Sequence, residues 1–212
     1  MKLYELRDRL IEMLALHSTT VGRFICKLQT GECLPENPVD EVRIDQLAVT
    51  VVAMMAARAP TETRDALQAY AALPATSFRG EWPEDLKFEE FPIEAVDIPP
   101  GSEAAMAYMF RSPIHALAAF MDQFVTAPPD AKIVVPALIA IKRDCSHPHA
   151  IITLPPSATM PQRSLVFERS GTEGNANPSP GQWFFIQGWQ LLKLVRPALE
   201  HELPTVVAEG AA

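Results

Sequence analysis

Leu3, Leu6, Leu10, Met13 and Leu14 recur at three- and four-residue intervals, the spacing that lines one face of an α-helix. It predicts an amphipathic helix over residues 3–16. A second stripe, Val21, Phe24, Ile25 and Leu28, follows Ser18 and Thr19, either of which can cap the helix. Gly31 then stands where a helix C-terminus favours it. Leu34-Pro35 and Asn37-Pro38 force an extended or turning segment. A third helix begins at Asp45, or is capped by Asp40, and runs to about Ala57 with Leu47, Val51, Met54 and Met55 inward. A fourth covers 62–73, bracketed by Pro60 and Pro74. Short helices around one apolar seam make a compact helical unit.

Past Pro74 the pattern changes. Pro74, Pro83, Pro92, Pro99 and Pro100 punctuate an acidic stretch that also carries Trp82, Phe88, Phe91 and Ile93. A plain spacer carries fewer aromatics, so this connector is expected to drape over one of the parts it joins. Ser102 can cap a long helix, Glu103 to Val125, that Pro113 either kinks or divides. Apolar and alternating runs at Ile133–Ile141, Ala150–Leu154 and Leu165–Glu168 predict strands, and the loops between them suit an antiparallel meander. A Gly/Asn/Pro/Ser loop over 170–181 precedes an amphipathic helix from Gln187 to Glu200, whose Trp189, Leu192, Leu194 and Val195 can cover one sheet face.

The expected fold class is therefore α+β. A helical domain covers 1–73, a proline-rich connector 74–100, and a small antiparallel sheet with packing helices 101–203, with a flexible tail over 204–212.

Composition sharpens this. Among 212 residues, 48% are hydrophobic and 21% charged, which is globular rather than disordered. The net charge of −8 disfavours indiscriminate binding to nucleic acid or anionic membranes. It leaves room for a local basic face, because ordinary salt screens charges beyond roughly 10 Å. Cys26, Cys33 and Cys145 are too few for a disulfide scaffold, so a reduced, cytoplasmic setting is expected. The N-terminus lacks a signal-peptide apolar run, and the longest apolar stretch, Leu47 to Ala57, is too short to span a bilayer. No membrane association is expected.

The second stripe matters most for function. No acid falls between Glu12 and Glu32, so the polar side of that helix is locally positive. Thr19, Thr20, Arg23, Lys27, Gln29 and Thr30 are side chains suited to phosphates and base edges, on a helix that follows a first helix and a tight turn. The run TTVGRFICKLQTGECLP resembles the N-terminal helix-turn-helix, winged-helix-like region of phage- and prophage-type transcriptional regulators. Thr20-Val21-Gly22-Arg23, then Leu28, then Gly31-Glu32-Cys33-Leu34-Pro35 carry the likeness, which covers about a third of the chain. It implies that the Leu-Pro step leads into a wing or loop, which here bears Glu32, Glu36, Asp40 and Glu41 in place of bases. It also implies that Thr19, Thr20, Arg23, Lys27 and Thr30 contact double-stranded DNA. The alternative is a plain helical bundle whose second helix exposes two solvated cations.

Other chemistry is sparse. Cys145-Ser-His147-Pro-His149 offers zinc-type ligands, but a structural zinc needs four and no second pair lies nearby. The chain has no Gly-x-Ser-x-Gly elbow and no phosphate-cradling glycine loop. No catalytic residue, metal or cofactor is expected, and the chain is not expected to be an enzyme. Trp183, Phe184, Phe185 and Trp189 either fill the core or form a dimer or partner contact. The expectation is a dimeric, cytoplasmic, DNA-binding transcriptional regulator of phage or mobile-element type, whose C-terminal domain dimerises or binds a partner. The alternative is an adaptor or inhibitor that binds no DNA and uses an acidic interaction surface.

Overall fold

A computed structural model describes residues 1–79, 108–126, 135–155, 163–169 and 181–196. Among them lie α1 (Leu3–Leu14), α2 (Ser18–Thr30), α3 (Ile44–Ala56), a 3₁₀ turn (Pro60–Glu62), α4 (Thr63–Ala71), α5 (Pro113–Thr126) and α6 (Gly188–Val195). The strands are β1 (Ala75–Arg79), β2 (Leu138–Lys142), β3 (His149–Leu154), β4 (Arg163–Glu168) and β5 (Trp183–Ile186). They form one antiparallel sheet in the order β1-β4-β3-β2-β5. The fold is the expected α+β, with most helices ahead of the sheet. The Pro-rich aromatics at 82–93, the start of the long helix at Ser102, the loop over 170–180 and the tail over 204–212 lie outside the described residues.

α1 buries the five residues that the spacing picks out, and it stops where Ala15 turns left-handed at φ 50°. Its exposed first amides are satisfied from a distance. Leu3 N–H donates to Asp40 and Tyr4 N–H to Pro38, while Val42 N–H donates to Met1. The loop that follows the Leu-Pro step is thus tied to the start of α1, which supplies partners for donors that no helix can satisfy internally.

α3 is the hub. From Thr50 to Ala57 every residue is buried, because α3 packs on α4, α5 and β2. Thr50 escapes the cost of a buried hydroxyl by donating to Gln46 O at 2.7 Å. Pro113 divides the long helix rather than kinking it, standing at the first position of α5, where its missing N–H costs nothing. Buried Ser112 caps that end, its Oγ accepting from His115 N at 3.3 Å and lying 2.7 Å from His115 Nδ1.

The sheet starts earlier and ends later than the residue pattern suggests. Ala75–Arg79 pairs with β4, and Trp183–Ile186 pairs with β2 ahead of α6. Both are too short for alternation to stand out, and one hides behind Pro74. β2 begins at Leu138, and α6 starts at Gly188 and is described as far as Val195. One face of the sheet, carrying Ile139, Ile141, Ala150, Ile152, Leu154, Leu165, Phe167 and Ile186, joins a single core with the helices. Three polar fasteners cross that junction. Arg143 donates to Met55 O at the end of α3, Arg58 donates to Arg143 O, and Tyr70 on α4 donates to Lys142 O. At the opposite end, Arg9 donates to Leu194 O and Gln190 to Met13 O, so α1 and α6 each cap the other's last turn.

Burial, and secondarily Arg111, holds His115 below the usual histidine pKa. A histidine whose folded pKa is depressed stabilises the fold fully above its unfolded value of about 6.5, and the stability falls as pH drops through that value toward the folded one. Urea melts at pH 7.5 and 5.5 are expected to separate for the wild type. They should separate less for His115→Gln; equal separation would show that another group carries the effect.

Candidate nucleic-acid interface

α2 owes its orientation to Val21, Phe24, Ile25 and Leu28, all buried against the neighbouring helices. His17 provides the cap in place of Ser18 or Thr19, its Nδ1 accepting from Thr19 N at 3.4 Å.

The outward face carries Thr19, Arg23, Cys26, Lys27 and Thr30, all exposed, with Thr20 half-buried beside them. All five residues expected to contact DNA therefore lie on one helix, four of them exposed. Among the described residues no hydrogen bond or ion pair engages the side chain of Arg23 or Lys27. Thr19 Oγ1 sits 2.9 Å from His17 Nδ1, and Thr30 donates to Cys26 O at 2.8 Å, leaving its lone pairs outward. Gln29 is spoken for: its amide donates to Pro35 O and Glu36 O, closing the loop after the helix.

Gly22 sits within this helix, and a Cβ built there meets nothing within 4 Å. A glycine inside a helix costs roughly 1 kcal/mol against alanine, and no internal packing contact requires it here. An open, side-chain-free spot beside Arg23 is what close approach of a ligand needs.

The end of α2 continues into a groove of about 670 Å³ between it and the 3₁₀ turn with α4. Lys27, Thr30, Thr61 and Arg64 supply polar walls, and Leu28 and Leu67 the apolar floor. Spacing alone does not single out Arg64 and Thr61, since nothing local in the sequence turns 60–67 toward α2. One acid lines this groove, Glu32, held left-handed at φ 59°. Glu36, Asp40 and Glu41 are exposed farther along the loop. Cys33 on the same wall has its thiol pKa pushed up by burial, which keeps it protonated at neutral pH.

The histidine-cysteine run lies elsewhere, in the β2–β3 hairpin. His147 is exposed beside Asp144 at 3.5 Å, and His149 stands edge-on to Trp183 at 5.2 Å. Burial, then the carboxylates of Glu62, Asp65 and Asp144, raise the Cys145 thiol pKa. Among the described residues no three such side chains converge as a metal site would require.

The chain matches no family model, no curated protein and no solved structure. No described helix is long and apolar enough to cross a membrane.

Proposed function

We propose that the chain is a DNA-binding transcriptional regulator that lays the outward face of α2 in the major groove and acts as a dimer. One observation carries this: an acid-free helical face on which Arg23 and Lys27 project without an internal partner among the described residues, beside an open glycine. Arg23 and Lys27 take phosphates or guanine edges, Thr19, Thr20 and Thr30 take phosphate oxygens, and Gly22 admits the backbone closely. Phosphate binding of this kind releases counterions, so affinity falls steeply with salt.

The test is a mobility shift with flanking genomic DNA at two salt concentrations. The doubly substituted Arg23→Ala, Lys27→Ala chain is expected to bind more weakly and to lose about two units of log–log salt slope. Gly22→Ala is expected to raise stability by about 0.5–1 kcal/mol while weakening DNA binding. An unshifted duplex, or a shift unaltered by the double substitution, overturns the proposal.

A second reading rests on the exposed acids Glu32, Glu36, Asp40 and Glu41 bordering the same helix. They suit an adaptor or inhibitor that engages a basic protein surface. In that case a protein partner is recovered by pull-down, DNA does not compete for it, and charge reversal of the loop rather than of α2 abolishes capture.

A further inference from the structure

The two edges of the sheet differ. β1 shifts register between Ala75 and Ser77, an irregularity by which edge strands resist pairing. β5 has none. It reads Trp-Phe-Phe-Ile between Gln182 and Gln187, without charge, proline or bulge.

Its hydrogen-bond phase is fixed. Arg143 N–H donates to Gln182 O at 2.7 Å, and these residues face each other in the ladder that pairs Lys142 with Trp183. In an antiparallel ladder bonded pairs alternate. The bonded pairs are therefore Arg143 with Gln182, Ile141 with Phe184, and Ile139 with Ile186. Trp183 and Phe185 are left with their N–H and C=O aimed away from β2. Among the described residues no strand receives them. Their side chains share one sheet face, where the rings stack at 6.4 Å and 22° and Phe185 is 55% exposed.

We infer that β5 is a self-association edge, pairing antiparallel with β5 of a second copy about a two-fold axis through Phe184. That axis sets Trp183 of each copy opposite Phe185 of the other, in bonded register, and makes four N–H···O bonds. The strand is its own complement, because an aromatic stands at both outward positions. The self-complementary register, not charge, singles out a second copy: two chains of net −8 repel elsewhere, but the seam itself is uncharged and adds no repulsion. The flanking cation is absorbed internally, with Arg143 stacked 4.5 Å over Phe184. A four-residue edge buries less than the roughly 1,600 Å² of a standard interface, so the dimer is weak and concentration-dependent. The inference does not depend on what α2 binds.

Sedimentation equilibrium of the full chain over a wide concentration range, with amide hydrogen exchange at both ends of it, tests this. A monomer–dimer equilibrium is expected. The amides of Trp183 and Phe185 should gain protection with concentration, while those of Phe184 and Ile186 are protected throughout. Phe185→Pro removes an outward N–H and the ring beside it, but no hydrogen bond to β2, and should abolish the dimer while leaving the circular dichroism of the fold. Phe185→Lys, which keeps the backbone donor and covers the case in which the proline variant does not fold, should weaken association by about tenfold or more. A chain that stays monomeric throughout, association unaltered by Phe185→Lys, assembly beyond a dimer, or concentration-dependent protection elsewhere than Trp183 and Phe185 overturns the inference.

Discussion

Gly188→Ala is expected to cost about 3 kcal/mol or more, enough to halve the stability of an ordinary small domain. A Cβ at this position would stand 2.0 Å from the Pro136 carbonyl oxygen, 2.8 Å from its carbon and 2.9 Å from its nitrogen. All three are backbone atoms, so no side-chain rotation relieves the clash. Either α6 lifts from α1 and α5, or the segment entering β2 shifts and carries the sheet register with it. Urea unfolding followed by circular dichroism should show a lower midpoint with an unchanged slope, the signature of lost stability rather than an altered unfolded state. A midpoint equal to wild type would mean that Pro136 moves freely, contrary to the packing described.

Tyr70→Phe is expected to cost about 2 kcal/mol. The phenol is buried at the junction of α4 with the β2–β3 hairpin, donating to Lys142 O and accepting from His149 N at 3.2 Å. Removing one oxygen takes a partner from two backbone groups in a desolvated site, where the loss exceeds that of a surface bond. Burial, partly offset by the hydrogen bond at His149, raises the phenol pKa above its usual value. A raised folded pKa means stability that is complete below the unfolded value of about 10 and that declines as pH climbs past it toward the folded value. The wild type should therefore lose stability between neutral pH and pH 11 by more than Tyr70→Phe does. Parallel loss in both proteins would assign the alkaline sensitivity to another group.

These two positions show where sequence is informative and where it is not. The stripes of α1 and α2 are read correctly because their buried residues are contiguous neighbours on one helix, and burial needs only a second surface to face. The outward face of α2 was readable for the same reason: fixing Val21, Phe24, Ile25 and Leu28 inward fixes Arg23 and Lys27 outward. Gly188 is different, since nothing around it announces that Pro136 will lie against its α-carbon. Gln29 looks like a base-reading side chain until the loop returns Pro35 and Glu36 to its amide. Arg64 joins the groove only because α4 docks beside α2. Strands β1 and β5 are not legible in the sequence because a run of four or five residues acquires its alternation from partners roughly 40 to 90 positions away.

The mutual caps between α1 and α6 also set an order of events during synthesis. Arg9 and Leu194 are 185 residues apart, and Met13 and Gln190 are 177 apart. At translation rates of about 5–20 residues per second, the first helix leaves the ribosome on the order of ten to forty seconds before its partner exists. During that interval the carbonyl of Met13 and the guanidinium of Arg9 must rely on water. α1 is thus completed by an element made well after it, and a nascent chain stalled before Gly188 presents an unfinished α1 to whatever binds it first.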